Sequence, residues 1–316
     1  MPPVASRGSL RVAVGVSTVV LVLSACGGAP QAKPDTTPRF HLDNQATEAQ
    51  ERARVDAFDI RNIAPTLRNG TIWTSRWSAR RAFDGVDPRD RWFDADHGSA
   101  TYRVARGRLY VTGSIPRMYV HDPRKRRQWR NVEVTMYFKR VSDTGIPYAG
   151  MTIVARSNHL DTESGRRECD TRGYGARMRY DGHIDFEKET AFPANQAVSN
   201  KTLWANGLPK GRWIGVKFLV YDRSDGVHLE MWVDLTNGWH GGRWRLVNRI
   251  VDDGRLFGNE PCAEGIDPRT ALTASSRRAG SETGKPNLTV YFRSDGVNRD
   301  GLVYKWGSVR EIRVRR

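Results

Sequence analysis

Residues 174–189 read YGARMRYDGHIDFEKE. Two runs alternating between apolar and polar residues flank Asp181-Gly182, which is the pattern of an antiparallel hairpin. Two turns fit it. A two-residue loop pairs Tyr180 with His183 and sets Met178 opposite Asp185. A three-residue loop, Tyr180-Asp181-Gly182 with a left-handed glycine, pairs Arg179 with His183 and Arg177 with Asp185. On the other face it pairs Met178 with Ile184 and Ala176 with Phe186. Only the second turn separates charge from core, because successive side chains point to opposite faces of a strand. It is the preferred reading.

The same alternation recurs outward from the hairpin. Val132, Val134, Met136 and Phe138 mark one core face, with Glu133, Thr135 and Tyr137 opposite. Ile214, Val216, Phe218 and Val220 mark a second, leaving Trp213, Lys217 and Tyr221 on the far side. Val227, Leu229, Met231 and Val233 mark a third, opposite His228, Glu230, Trp232 and Asp234. Leu288, Val290 and Phe292 mark a fourth, and Leu302–Val314 still has strand texture. From Ile72 to the C-terminus no segment has helical period. So many strands with one apolar face predict an all-β domain over residues 72–316, a two-sheet antiparallel sandwich of jelly-roll type. A chain of 316 residues with 10 each of Trp, Tyr and Phe has enough apolar mass for such a core.

Residues 1–25 carry two arginines, the apolar run Val12–Leu23 and then Leu23-Ser24-Ala25-Cys26. A charged start, an apolar stretch and small residues at a cleavage point predict an export signal. The tetrad resembles the lipobox of bacterial lipoproteins, which implies a lipidated (palmitate-type) Cys26 and a protein anchored to the extracytoplasmic side of the cell membrane. Residues 26–71 are expected to form a flexible tether containing a short helix or coil over Ala46–Ile60. With Cys26 acylated, Cys169 and Cys262 remain, and an oxidising envelope would let them pair. The spacing of the cysteines suggests no zinc site.

The formal charge is +16, from 51 Lys+Arg against 35 Asp+Glu, and 42 of the 51 are Arg. Such a chain suits anionic lipid, cell-wall polyanion or acidic polysaccharide. An exported protein is not expected to meet nucleic acid, and a monomer is the expected state.

If the strands share one sheet, its polar face collects Arg156, Asn158, Arg177, Arg179, Glu187, Lys217, Trp232 and Arg293 as substrate-binding candidates. Aromatic rings stack on sugars and Arg forks bind carboxylates. Binding of an extracellular, acidic polysaccharide is the expected function, with a lyase and a glycoside hydrolase-like protein as alternatives. A polysaccharide lyase needs cations on the uronate carboxylate and a base to move the neighbouring proton; His183 and Tyr291 are the candidates. A glycoside hydrolase needs two carboxyls about the scissile bond. A sugar-binding module needs neither. Whether the chain is an enzyme stays undecided.

Arg156–His159, Gly173–Glu189, Tyr291–Val297 and Lys305–Ile312 resemble secreted concanavalin A-like proteins of the carbohydrate-binding and polysaccharide-lyase-like kind. The resemblance covers roughly residues 72–316 and implies a jelly roll with a glycan-binding concave face. His183-Ile184-Asp185-Phe186-Glu187 also resembles the Glu-x-Asp-x-Glu strand of laminarinase-like hydrolases, with His183 where the nucleophile should stand, which argues against retaining hydrolysis. Tyr291-Phe292-Arg293 is similar to the Tyr-Phe-Lys strand of alginate-lyase-like enzymes, with Arg in place of Lys. No cofactor is expected, though Asp252, Asp253 and Asp267 are candidate ligands for a structural Ca²⁺. The basic run Arg124–Arg127 is read as a solvated loop. The motifs of serine hydrolases, nucleotide-binding loops and zinc proteases do not occur.

Overall fold

The hairpin closes as the three-residue loop. Gly182 is left-handed (φ 89°), and its N–H donates to the Arg179 carbonyl at 3.0 Å. A Cβ at Gly182 would stand 2.0 Å from the Trp204 carbonyl oxygen, so no other residue fits there. Arg177 pairs with Asp185, Met178 with Ile184 and Ala176 with Phe186.

The computed structural model describes residues 54–95, 100–158, 172–189, 195–257, 271–274 and 287–314. Among them seventeen strands form two sheets in which every ladder is antiparallel. The eight-stranded sheet runs, in spatial order, β12 (Asn195–Thr202), β11 (His183–Glu189), β10 (Gly173–Arg179), β9 (Gly150–Ser157), β16 (Thr289–Ser294), β7 (Arg117–His121), β4 (Asp90–Ala95) and β3 (Gly85–Asp87). The nine-stranded sheet runs β15 (Arg245–Asp252), β14 (Gly226–Asp234), β13 (Trp213–Arg223), β8 (Val132–Arg140), β17 (Val297–Glu311), β6 (Arg108–Gly113), β5 (Thr101–Ala105) and β2 (Arg81–Phe83), with β1 (Ile72–Thr74) also on β17.

The apolar faces meet between the sheets. Phe218, Met136 and Met231 come from one sheet, and Phe186, Ile153 and Phe292 from the other, all fully buried. The Phe186 and Phe218 rings touch across the interface at 6.0 Å between centroids. This is the expected two-sheet antiparallel sandwich.

The end of the expected tether behaves differently. Residues 54–60 form a turn, not a helix: Val55 bridges to Arg61, and the Asp56 carboxylate accepts from the N–H groups of Phe58 and Ile60. Residues 60–67 then dock on the outer face of the nine-stranded sheet. Ile63 and Ala64 donate their N–H groups to the Glu133 carboxylate at 3.1 and 2.9 Å, and Leu67 donates to the Glu311 carbonyl at 2.9 Å. Beneath them Glu133 also holds Lys217 Nζ at 2.8 Å and the Arg310 guanidinium. Burial opposes ionisation of Glu133, but Lys217 and Arg310 hold its carboxyl below the ordinary value. The segment therefore seals a buried ion network.

Cys26, Cys169 and Cys262 lie outside the described residues, as does Asp267. No helix among the described residues is long and apolar enough to cross a membrane.

Candidate functional site

On the outer face of the eight-stranded sheet, pairing sets residues in rows. Arg293, Thr152, Arg177 and Asp185 form one row across β16, β9, β10 and β11. Tyr291, Val154, Gly175 and Glu187 form the next. Long charged side chains flank short ones, so the charges can lie down over the middle strands.

They form a chain of alternating sign. Arg177 holds Asp185 through Nε and Nη2 at 2.5 and 2.7 Å, and Glu187 through Nη1 at 2.6 Å. Arg293 holds Glu189 at 3.1 Å and Asp295 at 2.8 Å, with Glu187 at 4.0 Å. Arg117 reaches the other oxygen of Asp295 at 3.1 Å. At the hairpin end Arg179 pairs with Asp181 at 2.5 Å and lies 3.5 Å from Asp185. Arg293 and Glu189 stand three interstrand steps apart, roughly 14 Å at about 4.8 Å per step. They meet by crossing β9 and β10, where Gly173 and Gly175 leave room; a Cβ at Gly175 would sit 3.3 Å from Glu187 Oε2.

This arrangement tunes one carboxyl. Burial pushes Glu187 up to about 7; Arg177 and Arg293 pull it down, and Glu189 and Asp185 raise it further. Asp295 goes the other way: burial opposes its charge, but Arg117 and Arg293 hold it below the ordinary carboxylate value. Glu187 can thus exchange a proton near neutrality beside the Arg177 and Arg293 guanidiniums.

A groove of about 540 Å³ opens over the lattice. Its floor is Thr152, Arg177, Arg179, Glu187, Arg293 and Asp295, and its walls include Ile115, Ile146 and Tyr148. Tyr148 is 64% exposed, a large ring facing solvent beside hydrogen-bonding groups.

Four of the residues singled out from the sequence meet here: Arg177, Arg179, Glu187 and Arg293. The others do not line the groove. Lys217 and Trp232 belong to the nine-stranded sheet; Lys217 is sealed against Glu133 and Thr135, and Trp232 donates to Glu230. Arg156 lies at an irregularity in the β9–β16 pairing, with a left-handed backbone (φ 55°) that turns its side chain inward. There it donates to the carbonyls of Arg130 and Leu272 and pairs with Asp222 of β13 at 2.5 Å. Asn158 accepts from the Arg172 N–H.

The two proposed bases are also accounted for. Tyr291 packs with Tyr119 and Val154 and donates to Glu189 at 2.7 Å; burial and that carboxylate raise its hydroxyl far above the ordinary value. A phenol held neutral is a poor base. His183 sits at the start of β11, between Asp181 at 3.2 Å and Thr202 at 3.1 Å, outside the groove lining.

Sequence reasoning missed Thr152, Asp295, Glu189 and Tyr148. Thr152 and Glu189 could have been found by extending the alternation of their strands; Asp295 and Tyr148 lie in loops where no period applies. Of the Ca²⁺ candidates, Asp252 is instead tied to Lys188 at 2.7 Å and to the Tyr174 hydroxyl between the sheets. Among the described residues no cluster of three or more His, Cys, Asp or Glu could hold a metal ion.

No protein-family model matches the chain, and no curated protein is significantly similar to it in sequence. Solved structures do align with it. The exoplasmic/lumenal domain of VIP36 in its Ca²⁺-bound form is 11% identical over 73% of this chain and 88% of that one, with a TM-score of 0.45. Lectin II from Ulex europaeus is 13% identical over 74% and 99%, at 0.44. Arcelin-5, a lectin-like defense protein from Phaseolus vulgaris, is 14% identical over 74% and 99%, at 0.42.

Proposed function

We propose that the groove over β9, β10, β11 and β16 binds a glycan, presented outside the cell to a protein held at the membrane by lipid on Cys26. The observation that carries this reading is the pairing of a charged lattice with an exposed ring at its wall. The lattice offers fixed donors and acceptors side by side, as vicinal sugar hydroxyls require, and Tyr148 offers a face for the apolar side of a sugar ring.

The balance of charge bears on which glycan. Four guanidiniums (Arg117, Arg177, Arg179, Arg293) face five carboxyls (Asp181, Asp185, Glu187, Glu189, Asp295), each arginine bound to at least one acid. A uronate would have to displace an internal carboxylate, whereas a hydroxyl can bridge the two signs. The reading therefore favours neutral, hydroxyl-rich segments over the acidic polysaccharide expected from net charge.

A second reading keeps an enzyme in view. Glu187, titrating near 7 on the groove floor, has the protonation a general acid or base needs. A lyase would use it in place of His183 or Tyr291. The test is a panel of neutral and uronate oligosaccharides offered to the protein, followed by binding heat and by ultraviolet absorbance of an unsaturated product. Binding of neutral oligosaccharides supports the first reading, a new absorbance supports the lyase, and silence across the panel removes both.

A further inference from the structure

On its far side the molecule carries a second concentration of charge that the groove does not use. Trp213 on β13 is ringed by three cations from three other strands: Lys305 Nζ at 4.6 Å from the ring centroid, Lys139 Nζ at 5.2 Å and the Arg108 guanidinium at 5.5 Å. Lys139 is the direct cross-strand partner of Trp213, and Lys305 lies one strand further, on β17. A bulge makes the arrangement: Trp306 is left-handed (φ 56°), and the register of β17 against β8 shifts between Lys305 and Ser308. Lys305 and Trp306 then share the outer face, with the ammonium 3.4 Å from the Trp306 ring centroid.

Three positive groups round one ring repel one another, and the rings offset only part of that. Among the described residues none of the three forms an ion pair. The Asp234 carboxylate, which acts on Lys305 electrostatically, is already engaged by the Tyr137 hydroxyl and by the N–H groups of Thr236, Gly238 and Arg243. Lys305 donates to Asn237, which leaves it further protons to give. Burial, with Arg108 and Lys139 beside it, pushes its ammonium down to about 8. Arg108, Lys139 and Trp213 are half-buried, so the cluster opens to solvent.

We propose that Arg108, Lys139 and Lys305 form a site for a doubly charged tetrahedral oxyanion, phosphate or sulfate. Three cations match a dianion better than a single carboxylate, and ammonium groups act on it as point charges beside the Arg fork. The site lies on the opposite sheet from the glycan groove and does not depend on it.

The experiment uses the full chain in a Cys26→Ser background. Thermal unfolding is followed in phosphate, in sulfate and in chloride at matched ionic strength, and affinity for inorganic phosphate is titrated. The parent should melt higher in phosphate and sulfate than in chloride. K139Q and R108Q, both half-exposed and able to fold if K305Q is not, should each weaken phosphate binding at least about fivefold, while Tyr148→Ala leaves it unchanged. Sedimentation with vesicles containing phosphatidic acid, a phosphomonoester lipid whose headgroup can carry two negative charges, distinguishes the sources. Vesicle binding lost in K139Q makes the ligand a lipid headgroup, and a phosphate response without vesicle binding makes it a free or glycan-borne anion. Equal melting in the three salts, or a phosphate response that K139Q and R108Q both retain, overturns the site.

Discussion

The Arg177 guanidinium is shared between two carboxylates of one strand, Asp185 at 2.5 and 2.7 Å and Glu187 at 2.6 Å, and both acids are almost fully buried. Replacing Arg177 by Ala leaves these acids without their main cation. Breaking a buried pair from one side costs about 3 kcal/mol or more, so Tm should fall by roughly 10 °C in a chain of this size. Arg179, at the half-exposed hairpin end beside Asp181, is different: Arg179→Ala should cost under about 1 kcal/mol. Scanning calorimetry of the two variants checks the order, and equal melting temperatures would show that the lattice is not a linked unit.

Glu187 makes stability depend on pH with a definite sign. Its folded pKa, about 7, lies above the ordinary value of 4.5, so the folded protein binds a proton that the unfolded chain has lost in between. Stability from this group is complete below about 4.5 and is lost as pH rises to about 7, an effect on the order of 3 kcal/mol. Glu187→Gln removes that slope and should melt above the parent at pH 8. Denaturant unfolding of both proteins across this range checks it; parallel curves would contradict the raised pKa.

The sealed network on the other sheet predicts a different kind of fragility. Glu133→Ala leaves Lys217 and Arg310 buried without a carboxylate and frees two N–H groups of the docked segment. A loss of about 3–5 kcal/mol is expected, together with new protease cleavage between residues 54 and 70. Resistance of that segment in the variant would mean that docking does not depend on Glu133.

Two expectations concern residues outside the described ones. Cys26→Ala should abolish acyl labelling and release the protein from membranes. Cys169 and Cys262 should be joined after export, so thiol titration of the unfolded, unreduced protein should find neither free.

Most of the sandwich was legible because alternation tells one face of a strand from the other. Gly182 even fixed the register of the hairpin, since only one loop length kept Met178 and Ile184 together. Alternation does not say which sheet a strand joins, which is why Lys217 and Trp232 looked like neighbours of Arg177. It also fails where one residue turns left-handed. Arg156 has the sequence position of a groove residue, but its backbone sends the side chain inward to Asp222. The docking of residues 60–67 was invisible for another reason: its partner is the carboxylate of Glu133, far away in sequence and read as an ordinary outward-facing acid.

On the proposed function, a glycan is held in the groove by Tyr148 and the lattice beneath it. Titration calorimetry with a neutral oligosaccharide selected from the panel tests it most directly, comparing the parent with Tyr148→Ala. Tyr148 is exposed and packs little, so the variant should fold and melt as the parent does. Its affinity should fall about tenfold, near 1.4 kcal/mol, from the lost stacking face. Unchanged affinity in Tyr148→Ala would contradict that mode of binding.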